Sequence, residues 1–225
     1  MGREFESPHR QLLIICGVLM KVLLLNGSSH RNGCTFTALD EVSRALKNEH
    51  IDTEIFQLGN PELRDCSGCQ ACRKIGKCVY NDIVNEFVEK ARLADGFVFG
   101  TPVYYAHPSG RILSFLDRTF YSGSSAFAYK PAASVVSARR SGTTASFDVM
   151  NKYFTICNMP VISSQYWNNI HGNVMEEARQ DAEGLQTMRT LGRNMAWILK
   201  CIDAGSKMGV KSPQPEEKIK TNFIR

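Results

Sequence analysis

The sequence predicts an α/β protein built on one parallel sheet with helices on both faces, and three observations carry that expectation. Short apolar runs lack the polar alternation of a half-solvated strand, which marks strands covered on both sides. Between them lie segments with apolar residues every three to four positions, the period of an amphipathic helix. The first apolar run stops at Gly27-Ser28-Ser29 and a helical segment follows, so strand, glycine turn and helix open a βαβ unit.

Taken in order, residues 21–26 (KVLLLN) form the first strand, and residues 35–48, with Phe36, Leu39, Val42 and Leu46 on one face, the first helix. Residues 53–58 give the second strand and residues 82–93 the second helix, striped by Ile83, Val84, Phe87, Val88 and Ala91. A cysteine-rich loop separates these two. Residues 95–100 are the third strand, 108–121 the third helix, 132–138 the fourth strand and 147–157 the fourth helix. A short fifth strand over 159–163 and a long last helix over 174–202 complete the alternation.

A chain of 225 residues, 43% of them hydrophobic, buries one sizeable core. One domain is expected over residues 20–205, followed by a polar tail over 206–225 that carries Pro213 and Pro215. Residues 1–19 are expected to be an N-terminal extension outside the fold, and the sequence leaves open whether Met1 or Met20 is the natural start. In that extension Arg3 and Arg10 precede an apolar run from Leu12 to Met20. Lys21 interrupts the run and no small-x-small cleavage site follows, which argues against a signal peptide. No stretch reaches the roughly 18 apolar residues of a membrane span.

The net charge of +5, from 27 Lys and Arg against 22 Asp and Glu, is spread without runs of like charge. It gives weak support for an anionic ligand and almost none for nucleic acid. Of the eight cysteines, Cys16, Cys34, Cys157 and Cys201 are scattered and the others are clustered. This is unlike the framework of a small secreted protein and fits a reducing, cytoplasmic setting.

In an open parallel sheet, ligands bind beyond the carboxyl ends of the strands, and three loops there carry chemistry. The first, Asn26-Gly-Ser-Ser-His-Arg-Asn-Gly-Cys-Thr35, offers two glycines, the hydroxyls of Ser28, Ser29 and Thr35, Arg31, and the start of a helix. Backbone N–H groups and the positive end of a helix dipole suit a phosphate. The loop is neither a P-loop nor a G-x-G-x-x-G turn, and by itself it also reads as an ordinary capped helix entry. The second, Thr101-Pro-Val-Tyr-Tyr-Ala-His-Pro-Ser109, presents a proline-fixed backbone and two aromatic residues that either flank a flat ring or cover the sheet edge. The third, Ser137-Ala-Arg-Arg-Ser-Gly142, adds N–H donors and two guanidiniums.

In this order and at these strand ends, the three loops resemble the NADPH-dependent FMN reductase branch of the flavodoxin-like superfamily. The resemblance runs from Leu23 to about Ile202 and includes Phe115-Leu-Asp-Arg118. It implies a flavodoxin-like three-layer fold with a five-stranded parallel sheet in the order 2-1-3-4-5. By position, Ser28, His30, Asn32, Gly33, Cys34 and Thr35 become candidates for the FMN phosphate loop. Pro102, Val103, Tyr104 and Tyr105 become candidates for the ribityl chain and ring, with Ser137, Ala138 and Arg139 beside the ring. The family's usual arginine falls at His30, and a neutral histidine donates one hydrogen bond, so a contact made there would be pH-sensitive.

The resemblance further implies NAD(P)H as electron donor and a small acceptor such as a quinone or azo compound. No side chain is assigned a catalytic role, because the flavin carries the chemistry. A homodimer or homotetramer is implied, with neither nucleic acid nor membrane as partner. An electron carrier or flavin-bound regulatory protein without NAD(P)H turnover is the alternative. His107 and His171 read as turn residues, and Tyr166-Trp167-Asn168-Asn169 as an aromatic cluster of core or interface type.

The stretch CSGCQACRKIGKC holds Cys66, Cys69, Cys72 and Cys78 in thirteen residues. Zinc sites usually pair two knuckles across a longer gap, whereas tight C-x2-C-x2-C runs suit a 4Fe-4S cubane. The spacing resembles the compact motif of iron-sulfur flavoproteins, a branch of the same superfamily, in which the cluster relays electrons from FMN to an acceptor; with a cluster present, a partner protein is the expected acceptor here. Reduced thiols, a disulfide or zinc remain open readings of the same spacing.

Overall fold

A computed structural model describes residues 20–219, 221 and 223. The expected extension over residues 1–19 lies outside the described residues. The elements are β1 (Lys21–Asn26), α1 (Cys34–Asn48), β2 (Asp52–Gln57), α2 (Cys72–Ile75), α3 (Ile83–Arg92), β3 (Gly96–Tyr104), β4 (His107–Pro108), α4 (Gly110–Gly123), β5 (Ala132–Ala138), α5 (Thr143–Ile156), β6 (Asn169–His171), α6 (Met175–Ala178) and α7 (Ala182–Lys207). A single 3-10 turn, Ser124–Ala126, follows α4.

The sheet order is β2-β1-β3-β5-β6, all parallel, with β4 paired antiparallel to the end of β3. This is the doubly wound, flavodoxin-like topology, with one added hairpin strand. Successive residues of the central strands enter opposite layers. Leu23, Leu25, Phe97 and Phe99 meet α3, α4 and α5 in an aromatic cluster with Phe87, Phe115, Phe120, Phe127 and Phe154. Val22, Leu24 and Val98 meet α1 and α7 in an aliphatic cluster with Leu39, Val42, Leu46, Met188, Leu191 and Met195. Both sides of β1, β5 and the first six residues of β3 are dry, which is why these stretches of sequence are apolar runs without polar alternation.

Four expected boundaries are corrected. Residues 159–163 do not form the fifth strand; Val161 makes only an isolated bridge to Ala132. Pro160 supplies a carbonyl to Ala132 N but has no N–H of its own to extend the ladder. The fifth parallel position belongs to β6, whose Asn169, Ile170 and His171 pair with Val136, Ser137 and Ala138. The expected long last helix is two helices, because the Asp181 carboxylate accepts from His171 N and from Gly184 N and so caps α7. Finally, β3 continues through Thr101–Tyr104, a stretch expected as loop, and turns back into β4 through Tyr105 and Ala106, both at positive φ. At its far end α7 runs to Lys207, two residues into the expected tail.

The two helices of the aliphatic layer approach so closely at Gly192 that a side chain has no room. A Cβ there would lie 2.6 Å from Ala45 Cβ and 3.0 Å from Val42 O. Gly192→Ala is therefore expected to cost roughly 1–3 kcal/mol, as overpacking does, seen as a lower urea midpoint with an unchanged m value.

Candidate functional site

The carboxyl ends of β1, β3 and β5 diverge around one cavity of about 490 Å³. Its first wall is the loop between β1 and α1, organised by Asn26, which is fully buried. The Asn26 amide donates to Gln57 Oε1 at 2.6 Å, and its Oδ1 accepts from Ser28 N at 3.2 Å. Gln57 in turn donates to Ser28 O at 2.8 Å, and Ser28 Oγ accepts from His30 N at 3.1 Å. The loop is thus held from below by side-chain amides, so its turn is fixed without help from a ligand. Gly33 starts α1 with no side-chain cap, which leaves first-turn N–H groups available at the cavity.

Thr35 and Ser137 join this wall to the end of β5. Their hydroxyls lie 2.7 Å apart and both residues are buried. The third wall, Ser137–Arg139, leads to Gly142, which begins α5 at φ 90° and again without a side-chain cap. A Cβ on Gly142 would meet Ala106 Cα at 2.6 Å and Val103 Cγ1 at 2.9 Å. Glycine here lets the β5–α5 turn press against the β3–β4 hairpin, which supplies Pro102, Val103 and Tyr104.

Every residue expected at the cofactor site lines the cavity except Tyr105. Tyr105 stands fully exposed at the hairpin tip in a left-handed conformation, because the chain turns there instead of continuing as a loop across the opening. Arg31, next to His30, is exposed and is not part of the lining. Sequence reasoning missed Gly172–Glu176, which closes the fourth side. Its signal was present in His171-Gly172-Asn173, where the chain leaves β6, but reading one helix from residue 174 hid it. Cys34 donates its thiol to Gly172 O at 3.3 Å, and burial pushes that thiol's pKa up, with Glu177 and Glu176 adding to the rise.

The cysteine loop forms a second, separate site. Cys66, Cys69, Cys72 and Cys78 are all free and line one small cavity, closed by Tyr80, Arg118, Tyr121 and Ser122. The Cys69 thiol is pulled below its ordinary pKa by the Ala71 N–H and then by the Ser67 hydroxyl. α2 carries Cys72 and ends at Gly76 in the left-handed region. Asn85 fixes Cys78 by accepting from its N–H at 3.0 Å and donating to its carbonyl at 3.0 Å. Beneath lies Arg118, 1% exposed and paired with Asp82 at 2.7 Å. Burial works against that charge, yet hydrogen bonds to Asp82 and Cys78 hold the guanidinium above its ordinary pKa.

Among the described residues, no group of three or more His, Cys, Asp or Glu side chains is arranged to hold a single metal ion. The four thiols suit in kind the larger cubane. The enclosed space is only about 20 Å³, so seating a cluster requires the loop to spread. Gly68 and Gly76, both at positive φ, have open space beside their Cα atoms.

Residues 20–173 match the family described as NADPH-dependent FMN reductase. The chain belongs to that family. Among its relatives, an iron-sulfur flavoprotein of Methanocaldococcus jannaschii is 30% identical over 194 residues, covering 81% of this chain and 99% of the relative. An iron-sulfur flavoprotein of Methanosarcina thermophila is 25% identical over 187 residues, covering 81% and 97%. Of solved structures, the NAD(P)H:quinone oxidoreductase from Methanothermobacter marburgensis matches 79% of this chain and 96% of its own, with a TM-score of 0.61 at 18% identity. A flavodoxin from the Archaea matches with a TM-score of 0.56 at 14% identity, so the fold is shared with both. Among the described residues, no helix is long and apolar enough to cross a membrane.

As a member of the FMN reductase family the protein is an FMN-dependent oxidoreductase, and the main cavity fits such a cofactor in kind. Hydroxyls and a helix N-terminus stand on one side, and Pro102, Val103 and Tyr104 on another. Thr35→Val removes one partner of a buried hydroxyl pair and is expected to cost about 1–3 kcal/mol. Thermal unfolding of the flavin-free protein checks this, because it separates the loss of the pair from any loss of ligand.

Proposed function

We propose that the protein takes electrons from NAD(P)H through FMN and passes them to a small acceptor such as a quinone or azo compound. The observation that carries this reading is the cavity at the ends of β1, β3 and β5, lined by all but one of the residues expected from sequence. In the same reading the four-cysteine loop holds a 4Fe-4S cluster that passes electrons to a protein partner. The four free thiols around one cavity, and the iron-sulfur flavoproteins among the relatives, support that part. A reducing, cytoplasmic setting agrees with seven free cysteines among the described residues.

FMN, when bound, supplies hydride acceptance and onward electron transfer. The chain's own residues bind and orient. Ser28 and Thr35 offer hydroxyls, and α1 offers first-turn N–H groups, to the phosphate. Tyr104, with Pro102 and Val103, gives an apolar wall for a planar ring. Backbone donors of the Ala138–Arg139 turn and the Arg139 guanidinium favour negative charge near the ring. Asn26 and Gln57 hold the phosphate loop in place before binding, which reduces the ordering needed when the ligand arrives.

Ser28→Ala combined with Thr35→Ala is expected to weaken FMN binding at least tenfold, or about 1.4 kcal/mol, measured by flavin fluorescence titration. A fully loaded yellow double variant would sink the site assignment. Anaerobic mixing of the wild-type protein with NADPH or NADH is expected to bleach the oxidised-flavin absorbance within turnover times. A flavodoxin-type carrier would keep its colour. Iron and sulfide assays on anaerobically purified protein test the cluster, with about four irons per chain expected.

A further inference from the structure

Arg118 spends every donor it has. A guanidinium carries five N–H groups in a rigid fork, and here Nη1 donates to Asp82 Oδ2 at 2.7 Å and to Arg64 O at 3.2 Å. Nη2 donates to Asp82 Oδ1 at 2.9 Å and to Cys78 Sγ at 3.2 Å, while Nε donates to the same sulfur at 3.3 Å. Tyr80 covers the group, its ring centroid 5.0 Å from the Arg118 carbon centre. Two adjacent N–H groups of a buried cation therefore converge on a single sulfur.

That arrangement is more than an Arg–Asp pair needs. The Nε and Nη2 edge of a guanidinium ordinarily meets the two oxygens of a carboxylate or phosphate. A neutral thiol is a weak acceptor and would leave much of this donor strength unused in a place where unused donors are costly. A sulfur that ligates a cluster carries negative charge and accepts both. Hydrogen bonds to ligand sulfurs and the charge around a cluster are among the quantities that set its reduction potential.

We propose that Arg118 is a positioning residue for the Cys78 sulfur and raises the reduction potential of the cluster held by the cysteine loop, with Asp82 limiting the effect by offsetting its charge. This rests on the cluster reading above. Adding one electron to the cluster, from dithionite in a titration, adds one negative charge, which the Arg118 cation and its two N–H···S bonds favour. Removing the cation must then lower the potential, and removing its counter-charge must raise it.

The test uses the full chain, reconstituted anaerobically with iron and sulfide and titrated with dithionite. Cluster reduction is followed by electron paramagnetic resonance, and flavin reduction by absorbance. Arg118→Gln is expected to move the cluster midpoint to a more negative value, Arg118→Lys to move it less far, and Asp82→Asn to move it to a more positive one. Asparagine still serves at the start of α3, where the Asp82 side chain accepts from Val84 N. The flavin midpoint stays the same in all three.

A merely structural pair would lose cluster content in every variant while the clusters that remain keep the wild-type midpoint, and that result overturns the proposal. So do shifts of one sign in Arg118→Gln and Asp82→Asn. If Arg118→Gln fails to fold, Asp82→Asn decides alone, and the absence of a positive shift overturns the assignment. A wild-type chain that takes up neither iron nor sulfide overturns the cluster reading itself, and the role of Arg118 falls with it.

Discussion

β1 is hydrogen-bonded along both edges and covered on both faces, and the rest of the molecule is arranged around that fact. A strand so enclosed has no free backbone group until its carboxyl end. There Asn26, fully buried, donates its amide to Gln57 and accepts from Ser28 N in the loop above. The main cavity follows from this geometry, since crossovers to opposite faces separate at the strand ends and leave a crevice between them. The apolar side chains on either face keep the strand ends in place, so the loops can be rich in glycine and hydroxyls and still hold one shape.

The two sites draw on different kinds of support. Loops at the main cavity are fixed by side-chain hydrogen bonds to the strands: Gln57 to Ser28, Asn26 to Ser28, and Thr35 to Ser137. The cysteine loop lies outside the sheet and depends on two interior groups, Asn85 for the Cys78 backbone and Arg118 for its sulfur. Its outer half is tied by exposed contacts alone, Cys72 Sγ to Tyr121 O and Tyr80 Oη to Ser67 Oγ. One site is therefore held by the sheet, and the other mainly from beneath.

Much of this was legible in the sequence because burial on both faces leaves a plain mark. The run KVLLLN and the stripe Phe36, Leu39, Val42, Leu46 gave strand and helix to within a residue or two. The cofactor loops were legible because glycine, hydroxyl and aromatic residues are concentrated at strand ends. The misreadings share one physical origin, which is that short segments are decided by tertiary partners. β6 has three residues, and its pairing depends on β5. Val174–Ile202 has helical periodicity throughout, but Asp181 breaks it to serve His171 and Gly184. Tyr105 was expected in the cavity wall, since adjacency in sequence does not reveal that Tyr105 and Ala106 turn the chain back on itself.

One element belongs to both sites. α4 begins at Ser109, whose hydroxyl donates to Gly27 O beside the phosphate loop, and it carries Arg118, Tyr121 and Ser122 to the cysteine cavity. A helix advances by a fixed rise, so the nine residues from Ser109 to Arg118 set a separation of roughly 13 Å along its axis. The helix thus serves as a ruler. Loops can open or close at either end without changing that length, whereas inserting one residue into α4 would turn the far end by about 100° and carry Arg118 away from Cys78.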